Sequence, residues 1–134
     1  MEFSLSSLIK LILSFIFSAL LGIEREIRKK PAGLRTHILV GLGSTLFTIL
    51  SYNAFPNDPA RVASYIVAGI GFIGAGAIIK EKDRVIGLTT ASSLWLTSAV
   101  GMAIGLGYFL LAFIATLLGL LTLLLGKIEK EKSF

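Results

Sequence analysis

The chain has 134 residues, of which 54% are hydrophobic and 16% are charged, and its mean hydropathy is +0.85. A soluble domain this small cannot bury so much apolar surface, and disordered chains are far less hydrophobic, so the composition excludes both classes. Thirteen Lys and Arg against eight Asp and Glu give a net charge of +5. On so apolar a chain, the excess of basic residues is typical of segments that set the orientation of a membrane protein, and it does not indicate nucleic-acid binding.

Uncharged stretches predict the membrane spans. Residues 85–126 carry no charge, and as one helix they would reach about 63 Å, twice a hydrocarbon core of about 30 Å. This run must therefore hold two spans, with a turn at Gly105-Leu106-Gly107. The fold class is predicted to be an all-α, polytopic membrane helix bundle of five transmembrane helices. The predicted spans are 5–23, 36–55, 61–79, 88–104 and 108–126, and the alternative is four spans plus an interfacial helix.

The sequence also predicts what the two ends of the chain form. Residues 1–23 lack a positive leading segment and a small-residue cleavage site, so they are expected to remain as a helix. Residues 1–126 are predicted to form a single transmembrane domain, followed by a short basic cytoplasmic tail over 127–134.

Basic residues predict the orientation. The segment between spans 1 and 2, the segment between spans 3 and 4, and the tail hold eleven Lys and Arg, whereas the other side receives Arg61. Because cytoplasmic segments are enriched in Lys and Arg, the N-terminus is expected outside and the C-terminus in the cytoplasm. Tyr52, Tyr65 and Tyr108 all fall at predicted outer span ends, where aromatic belts form.

Small residues recur on one face of every predicted span, and such faces pack closely in lipid. The stripes are Ser14, Ser18 and Gly22; Gly41, Ser44, Thr48 and Ser51; Ser64, Ala68, Gly71 and Ala75; Ser93, Thr97, Gly101 and Gly105; and Ala112, Ala115, Gly119, Thr122 and Gly126. They predict a bundle with a peripheral, leucine-rich fifth span, and they allow a homodimer.

Span 3 contains a G-x-G-x-x-G sequence at Gly69, Gly71 and Gly74. Because it lies inside a span and not between a strand and a helix, it is interpreted as a packing motif, with an unwound, cavity-lining segment as the alternative. Trp95 falls in the middle of span 4, where its indole N–H is expected to find an acceptor inside the bundle.

The segment after span 1 is rich in charge. Glu24 with Arg28 and Glu26 with Lys30 have the spacing of helical ion pairs, and the helix is expected to stop at Pro31 and Gly33. The segment is interpreted as a topology-setting turn. The alternative is a docking surface or an anion site that uses Arg25, Arg35 and the start of span 2.

Other polar residues have structural interpretations. His37 is expected to bond a neighbouring helix, with proton sensing as the alternative. Asp58 and Pro59 are expected to start span 3, with Asp58 as its N-cap and a partner for Arg61, and Thr89 and Thr90 to cap span 4.

No carboxylate lies within a predicted span core, and no catalytic triad or metal-ligand cluster is evident. We therefore predict a non-enzyme with no catalytic site, no metal site and no cofactor.

Three segments resemble the MgtC/SapB family of bacterial membrane proteins. They read LLGIEREIRKKPAGLRTHILVGLGS from residue 20, NDPARVASYIVAGIGFIGAGAII from residue 57 and VIGLTTASSLWLTSAVGMAIGLGYF from residue 85. The residues that match the family's polar signatures form the predicted functional motif: Glu24, Arg25, Glu26, Arg28, Pro31, Gly33, Arg35, Thr36, His37, Asp58, Pro59, Arg61, Gly69, Gly71, Gly74, Gly76, Gly87, Thr89, Thr90 and Trp95.

The resemblance implies an inner-membrane protein linked to magnesium homeostasis. It implies that the protein regulates other membrane proteins, with the F-type ATP synthase as a partner class. It also implies that membrane lipid surrounds the protein. Many family members carry a soluble C-terminal domain, which is not expected within these 134 residues. The alternative function is a small transporter or channel for magnesium, protons or an anion.

Overall fold

The computed structural model describes residues 4–132, with side chains through residue 127. Its elements are α1 (Leu5–Ile27), α2 (Leu34–Ala54), α3 (Ala60–Gly76), β1 (Ile79–Glu81), β2 (Arg84–Ile86), α4 (Leu88–Gly105) and α5 (Phe109–Lys132). The prediction of an all-α bundle with five helices is confirmed. The sequence analysis did not predict the small antiparallel hairpin of β1 and β2, in which Ile79 faces Ile86.

Three helices in the described part of the chain are long and apolar enough to cross a membrane: Leu5–Ile27, Leu34–Ala54 and Phe109–Lys127. The protein is therefore a membrane protein. Helix α3 is apolar but shorter, with 17 residues, and α4 is richer in Ser and Thr. Since α4 contacts all four other helices, protein replaces lipid around much of it. Thr90 and Ser93 bond side chains of α1 and α2, while Ser92, Thr97 and Ser98 bond backbone carbonyls of α4 itself. That α3 and α4 also cross the bilayer remains a prediction.

The helix ends differ from the predicted ones for local reasons. Helix α1 continues past Ile23 to Ile27, which carries Glu24 and Arg25 into the bundle. Helix α3 stops at Gly76 because the chain turns into the hairpin at Ile79. The break between α4 and α5 falls at the predicted glycines, and Gly107 adopts a left-handed φ of 89°. Helix α5 runs on into the predicted tail as far as Lys132, and residues 133–134 lie outside the described part.

Helices α1, α2 and α4 meet along a line of small and hydroxyl residues, called here the polar seam: Ser14, Ser18, Gly41, Ser44, Thr45 and Gly101. A Cβ at Gly41 would overlap the Ser18 hydroxyl, and one at Gly101 would lie 2.7 Å from the Gly41 carbonyl oxygen. Thr45 Oγ1 lies 2.8 Å from both Ser14 Oγ and the Gly101 carbonyl oxygen. The small-residue stripes of the first, second and fourth helices are therefore interfaces inside this chain.

The stripe on α3 does not pack inside the chain as expected. Ser64, Ala68, Gly71 and Ala75 are all exposed, because α3 packs against its neighbours through Ala63, Ile70 and Gly74 instead. Its helix is continuous through the four glycines, so the alternative of an unwound segment is wrong.

The structure corrects the expectation for Trp95 and agrees with the one for α5. Trp95 is 61% exposed, so its side chain points out of the bundle rather than toward an acceptor inside it. Helix α5 turns a broad leucine-rich face outward and buries Ala112 and Gly119, so it is peripheral, as predicted.

We expect Gly101→Leu to destabilise the bundle, because the new side chain would enter the space held by the Gly41 carbonyl oxygen and Ser44. Overpacking of this kind costs about 1–3 kcal/mol. The matched control is Gly71→Leu, since a Cβ at Gly71 meets nothing within 4 Å. Thermal unfolding in detergent should show a lower midpoint for Gly101→Leu alone. Equal midpoints would contradict the described packing of α4 on α2.

Candidate functional site

A buried polar cluster joins α1, α2 and α4 at the end of the bundle where α1 ends and α2 and α4 begin. It consists of Glu24, Arg25, His37, Thr90 and Ser93, each no more than 6% exposed. Segments 26–35 and 77–87 lie at the same end and hold seven Lys and Arg against three Asp and Glu. We call this the basic end.

Glu24 and Arg25 form a buried ion pair. Arg25 Nε and Nη2 donate to Glu24 Oε1 over 2.7 and 2.6 Å, and Arg25 Nη1 donates more weakly to Thr90 Oγ1 over 3.4 Å. Removing two charges from water together is favourable only when each satisfies the other. The pair therefore enters the bundle as a neutral unit and joins α1 to α4.

The carboxylate of Glu24 is only half satisfied. Its Oε2, like the hydroxyl of Ser18 one turn and a half earlier, is buried without a hydrogen-bond partner among the described residues. A buried acceptor that lacks a donor costs about 1–3 kcal/mol. Within this cluster, Glu24 Oε2 is therefore the atom that can still accept a proton or a hydrogen bond from water.

His37 links the starts of α2 and α4. Its Nδ1 lies 2.8 Å from the Gly33 carbonyl oxygen, which can only accept, so Nδ1 carries a proton. Its Nε2 lies 2.8 Å from Ser93 Oγ, and that hydroxyl also lies 2.7 Å from the Thr90 carbonyl oxygen. The predicted bond from His37 to a neighbouring helix is present.

The single proton of the Ser93 hydroxyl has two acceptors. With neutral His37, Ser93 donates to Nε2 and the Thr90 carbonyl loses that bond. With protonated His37, Nε2 donates to Ser93, and Ser93 donates to Thr90. The geometry therefore accommodates both charge states of His37 through a change in one hydrogen bond.

The acidic residues have different partners from those predicted. Glu24 pairs with Arg25 rather than Arg28, and Glu26 Oε1 accepts from the Leu34 backbone N–H over 2.9 Å instead of pairing with Lys30. Spacing of i,i+4 favours pairs on an exposed helix surface, whereas Glu24 is drawn to the nearest cation because both side chains are buried. The helix ends before Pro31, with Arg28 as its C-cap.

The other motif residues of the basic end are spread around the cluster. Gly33 contacts the Glu26 carboxylate, Arg35 and Thr89 are exposed, and Thr36 is half-buried. Gly87 precedes α4 with a left-handed φ of 91°. Neither Thr89 nor Thr90 caps α4: Gly87 occupies the N-cap position, and Thr90 is buried against Arg25.

The second group of motif residues lies at the opposite end. Asp58 and Pro59 sit between α2 and α3, and Arg61 lies in the first turn of α3, about 25 Å from His37 by the length of α2. The N-cap of α3 is Pro59, with no side-chain cap bond, and Asp58 contributes its carbonyl oxygen to the Arg61 N–H, so its predicted capping and ion-pairing roles are wrong. Gly69, Gly71 and Gly76 face open space, while Gly74 packs near Ala91. The motif therefore does not form one site.

Sequence reasoning missed Ser93 as a site residue. It had a signal, because Ser93 begins the small-residue stripe of α4, but spacing alone does not show that it faces His37. Among the described residues, no group of three or more His, Cys, Asp or Glu is placed to hold a metal ion.

We expect Arg25→Ala to destabilise the fold by about 3–5 kcal/mol, because it leaves the Glu24 carboxylate buried without a counter-charge. The control Arg35→Ala removes an exposed guanidinium and should change stability by less than about 0.5 kcal/mol. Thermal unfolding in detergent compares them. The double variant Glu24→Gln/Arg25→Met should recover part of the loss. Equal effects of the two alanine variants would show that the pair is not structural.

The MgtC family model matches residues 11–131. Two relatives from enteric bacteria are similar over most of the chain. One is the "Putative magnesium transporter YhiD" of Escherichia coli K12, 44% identical over 125 residues that cover 87% of this chain and 58% of the relative. The other is "Protein MgtC" of Salmonella typhimurium LT2, 42% identical over 111 residues, which are 83% of this chain and 48% of the relative.

A Synechocystis protein, slr0014, is 45% identical over 104 residues, which are 77% of this chain and 44% of the relative. The chain thus spans about half the length of the curated relatives it matches. No solved structure matches it significantly. The family model covers most of the chain, and the motif segments lie within it: this protein belongs to the MgtC family.

Proposed function

We propose that the chain is a non-enzymatic regulator in the bacterial inner membrane, associated with magnesium homeostasis, that acts by binding partner membrane proteins. The magnesium association is supported by the name of the Escherichia coli relative. The F-type ATP synthase is the partner class that the family resemblance implies. One observation carries the mode of action: an exposed stripe of small residues on α3 has no partner within the part of the chain that the structure describes.

The exposed side chains of α1 and α5 differ in size from those of the α3 stripe. The outward faces of α1 and α5 carry large side chains suited to lipid, such as Phe15 and Ile16 on α1 and Leu117 and Leu118 on α5. The outward face of α3, called here the α3 face, carries Ser64, Ala68, Gly71 and Ala75, all exposed. Lipid tails gain nothing from small side chains, whereas a neighbouring helix does, because its backbone can approach closely.

Large side chains border the α3 face: Phe72, one residue after Gly71, is 86% exposed, and Tyr65 and Val67 are exposed as well. Small residues beside a protruding aromatic group offer both a groove for a partner helix and a side chain to insert into it. The polar seam, by contrast, is already filled within the chain. The α3 face is therefore the surface we assign to partner binding, with a second copy of the chain as the simplest partner to test.

We expect Gly71→Leu to abolish capture of the partner by the tagged protein from gently solubilised membranes, because the new side chain blocks close helix approach. Its own fold should be intact, since a Cβ at Gly71 meets nothing within 4 Å. Leu118→Ala on the outward face of α5 is the control and should capture normally. ATP-driven proton pumping by F-type ATP synthase vesicles, measured with each variant present, tests the partner class.

Capture that is unchanged by Gly71→Leu would refute the α3 face as the binding surface. A partner that is lost with Gly71→Leu, combined with ATP synthase activity that never changes, would refute the ATP synthase and leave the binding mode standing.

The second candidate, a small transporter, is favoured by one observation. Glu24 Oε2 is buried without a partner beside a histidine that fits both charge states, as a proton or cation relay requires. Proteoliposomes with an entrapped magnesium dye, and then a pH dye, should show no flux above empty vesicles if the chain is a regulator. Flux that disappears in Glu24→Gln but persists in Glu26→Gln would establish transport and overturn the regulator proposal.

The proposed orientation places the N-terminus outside and the basic end in the cytoplasm, because cytoplasmic segments carry the excess of Lys and Arg. The chain has no cysteine, so maleimide labelling of a variant with one introduced cysteine reports the accessibility of that position. In intact cells, Asn57→Cys should react with a membrane-impermeant maleimide and Lys82→Cys should react only after lysis. The reverse labelling pattern would invert the orientation.

A further inference from the structure

Helices α2 and α3 diverge and leave an apolar groove between them. The α2–α3 groove has a volume of about 610 Å³ and is lined chiefly by Thr36, Val40 and Gly43 on α2 and by Ile66, Gly69 and Ile73 on α3. This volume falls in the range of ligand pockets, about 300–1,000 Å³. Its floor is closed by α4, where Ser44 Oγ donates to the Ser98 carbonyl oxygen over 2.6 Å.

We propose that the α2–α3 groove binds one acyl chain of an anionic phospholipid whose headgroup lies at the basic end beside Arg35. This proposal does not rest on the proposed function, because the groove and the α3 face are different sides of α3. Gly69 lines the groove, whereas Gly71 lies on the α3 face.

The length of the groove matches a single leaflet. Its lining runs along α2 from Thr36 to Phe47, which is about 16 Å of helix. The hydrocarbon core is about 30 Å thick, so the groove extends from the basic end to about the bilayer midplane. An acyl chain whose headgroup remains at the surface occupies this depth.

The chemistry of the lining also suits an acyl chain. The lining is apolar for most of its length, as acyl chains require, and the half-buried Thr36 places a hydroxyl at the end nearest the headgroup.

Charge at the basic end selects the headgroup. Arg35 is exposed and lies one turn before the lining residue Leu39 on the same side of α2. The surrounding segments 26–35 and 77–87 carry seven cationic and three acidic side chains. Arginine recognises phosphate oxygens through two parallel N–H donors, and basic residues near the cytoplasmic leaflet attract anionic lipids. The opposite end of the groove has Arg61 and Asp58 nearby, which balance each other in charge.

Native mass spectrometry of the full chain in neutral detergent, titrated with phosphatidylglycerol and then phosphatidylcholine, tests the proposal. The wild-type chain should bind one phosphatidylglycerol about tenfold more tightly than phosphatidylcholine. The double variant Gly43→Leu/Gly69→Leu should weaken phosphatidylglycerol binding at least tenfold, because its side chains fill a groove where each new Cβ meets nothing within 4 Å. Arg35→Gln should equalise the two lipids and keep both bound.

Matched controls separate these effects from changes in fold or net charge. Gly71→Leu adds the same side chain outside the groove, and Lys82→Gln removes one charge at the hairpin, so both should bind phosphatidylglycerol as the wild type does. Unchanged affinity in the double leucine variant would overturn the site. So would equal wild-type affinity for the two lipids, or a dimer mass that the double leucine variant removes, since the groove would then hold a second copy.

If the double leucine variant is not monodisperse, a second measurement tests the same proposal. Phe47 lies in the deep part of the groove and is 55% exposed, and Trp95 is the single tryptophan. In the variant Trp95→Phe/Phe47→Trp, one equivalent of phosphatidylglycerol brominated on its acyl chains should quench the tryptophan fluorescence in detergent. Brominated phosphatidylcholine should quench it less. Equal or absent quenching would overturn the proposal.

Discussion

The structure depends on backbones that approach each other closely along the polar seam. In a bilayer, helices do not gain by hiding apolar surface from water, so close packing and hydrogen bonds between helices must hold them together. Gly41 and Gly101 allow α2 to reach Ser18 on α1 and allow α4 to reach the Gly41 carbonyl oxygen. Thr45 then bridges α1 and α4 through its hydroxyl. These contacts place α4 at the centre, in contact with every other helix.

This central position of α4 sets up the buried polar cluster. Because α4 begins beside the end of α1 and the start of α2, Thr90 meets Arg25 and Ser93 meets His37. The cluster links three helices with directional bonds between buried side chains. The same arrangement leaves α3 at the edge, where one side diverges from α2 to form a groove and another presents the α3 face. The buried polar contacts thus lie on α1, α2 and α4, whereas both proposed binding surfaces involve α3.

The two proposed binding surfaces follow from this division. The α3 face is suited to a helix because its side chains are small, and the α2–α3 groove is suited to an acyl chain because it is apolar and about one leaflet deep. The basic end supplies the charge that orients the chain and attracts an anionic headgroup. Lipid in the groove would support α3 from behind, so lipid composition and partner binding would be thermodynamically linked through this helix.

The sequence by itself determined that the chain is a membrane bundle of five helices, because length and charge distribution limit what a bilayer accepts. It also identified the break at Gly105-Leu106-Gly107 and the stripes of α1, α2 and α4. Only the tertiary structure decided which small-residue stripe was left without a partner, since the stripe of α3 follows a helical period of three and four residues as well as those that pack do. It also decided that Glu24 pairs with Arg25, that Asp58 leaves α3 uncapped and that Trp95 points outward. The physical reason is that periodicity defines the faces of a helix, whereas the neighbours of each face depend on how all five helices fit around α4.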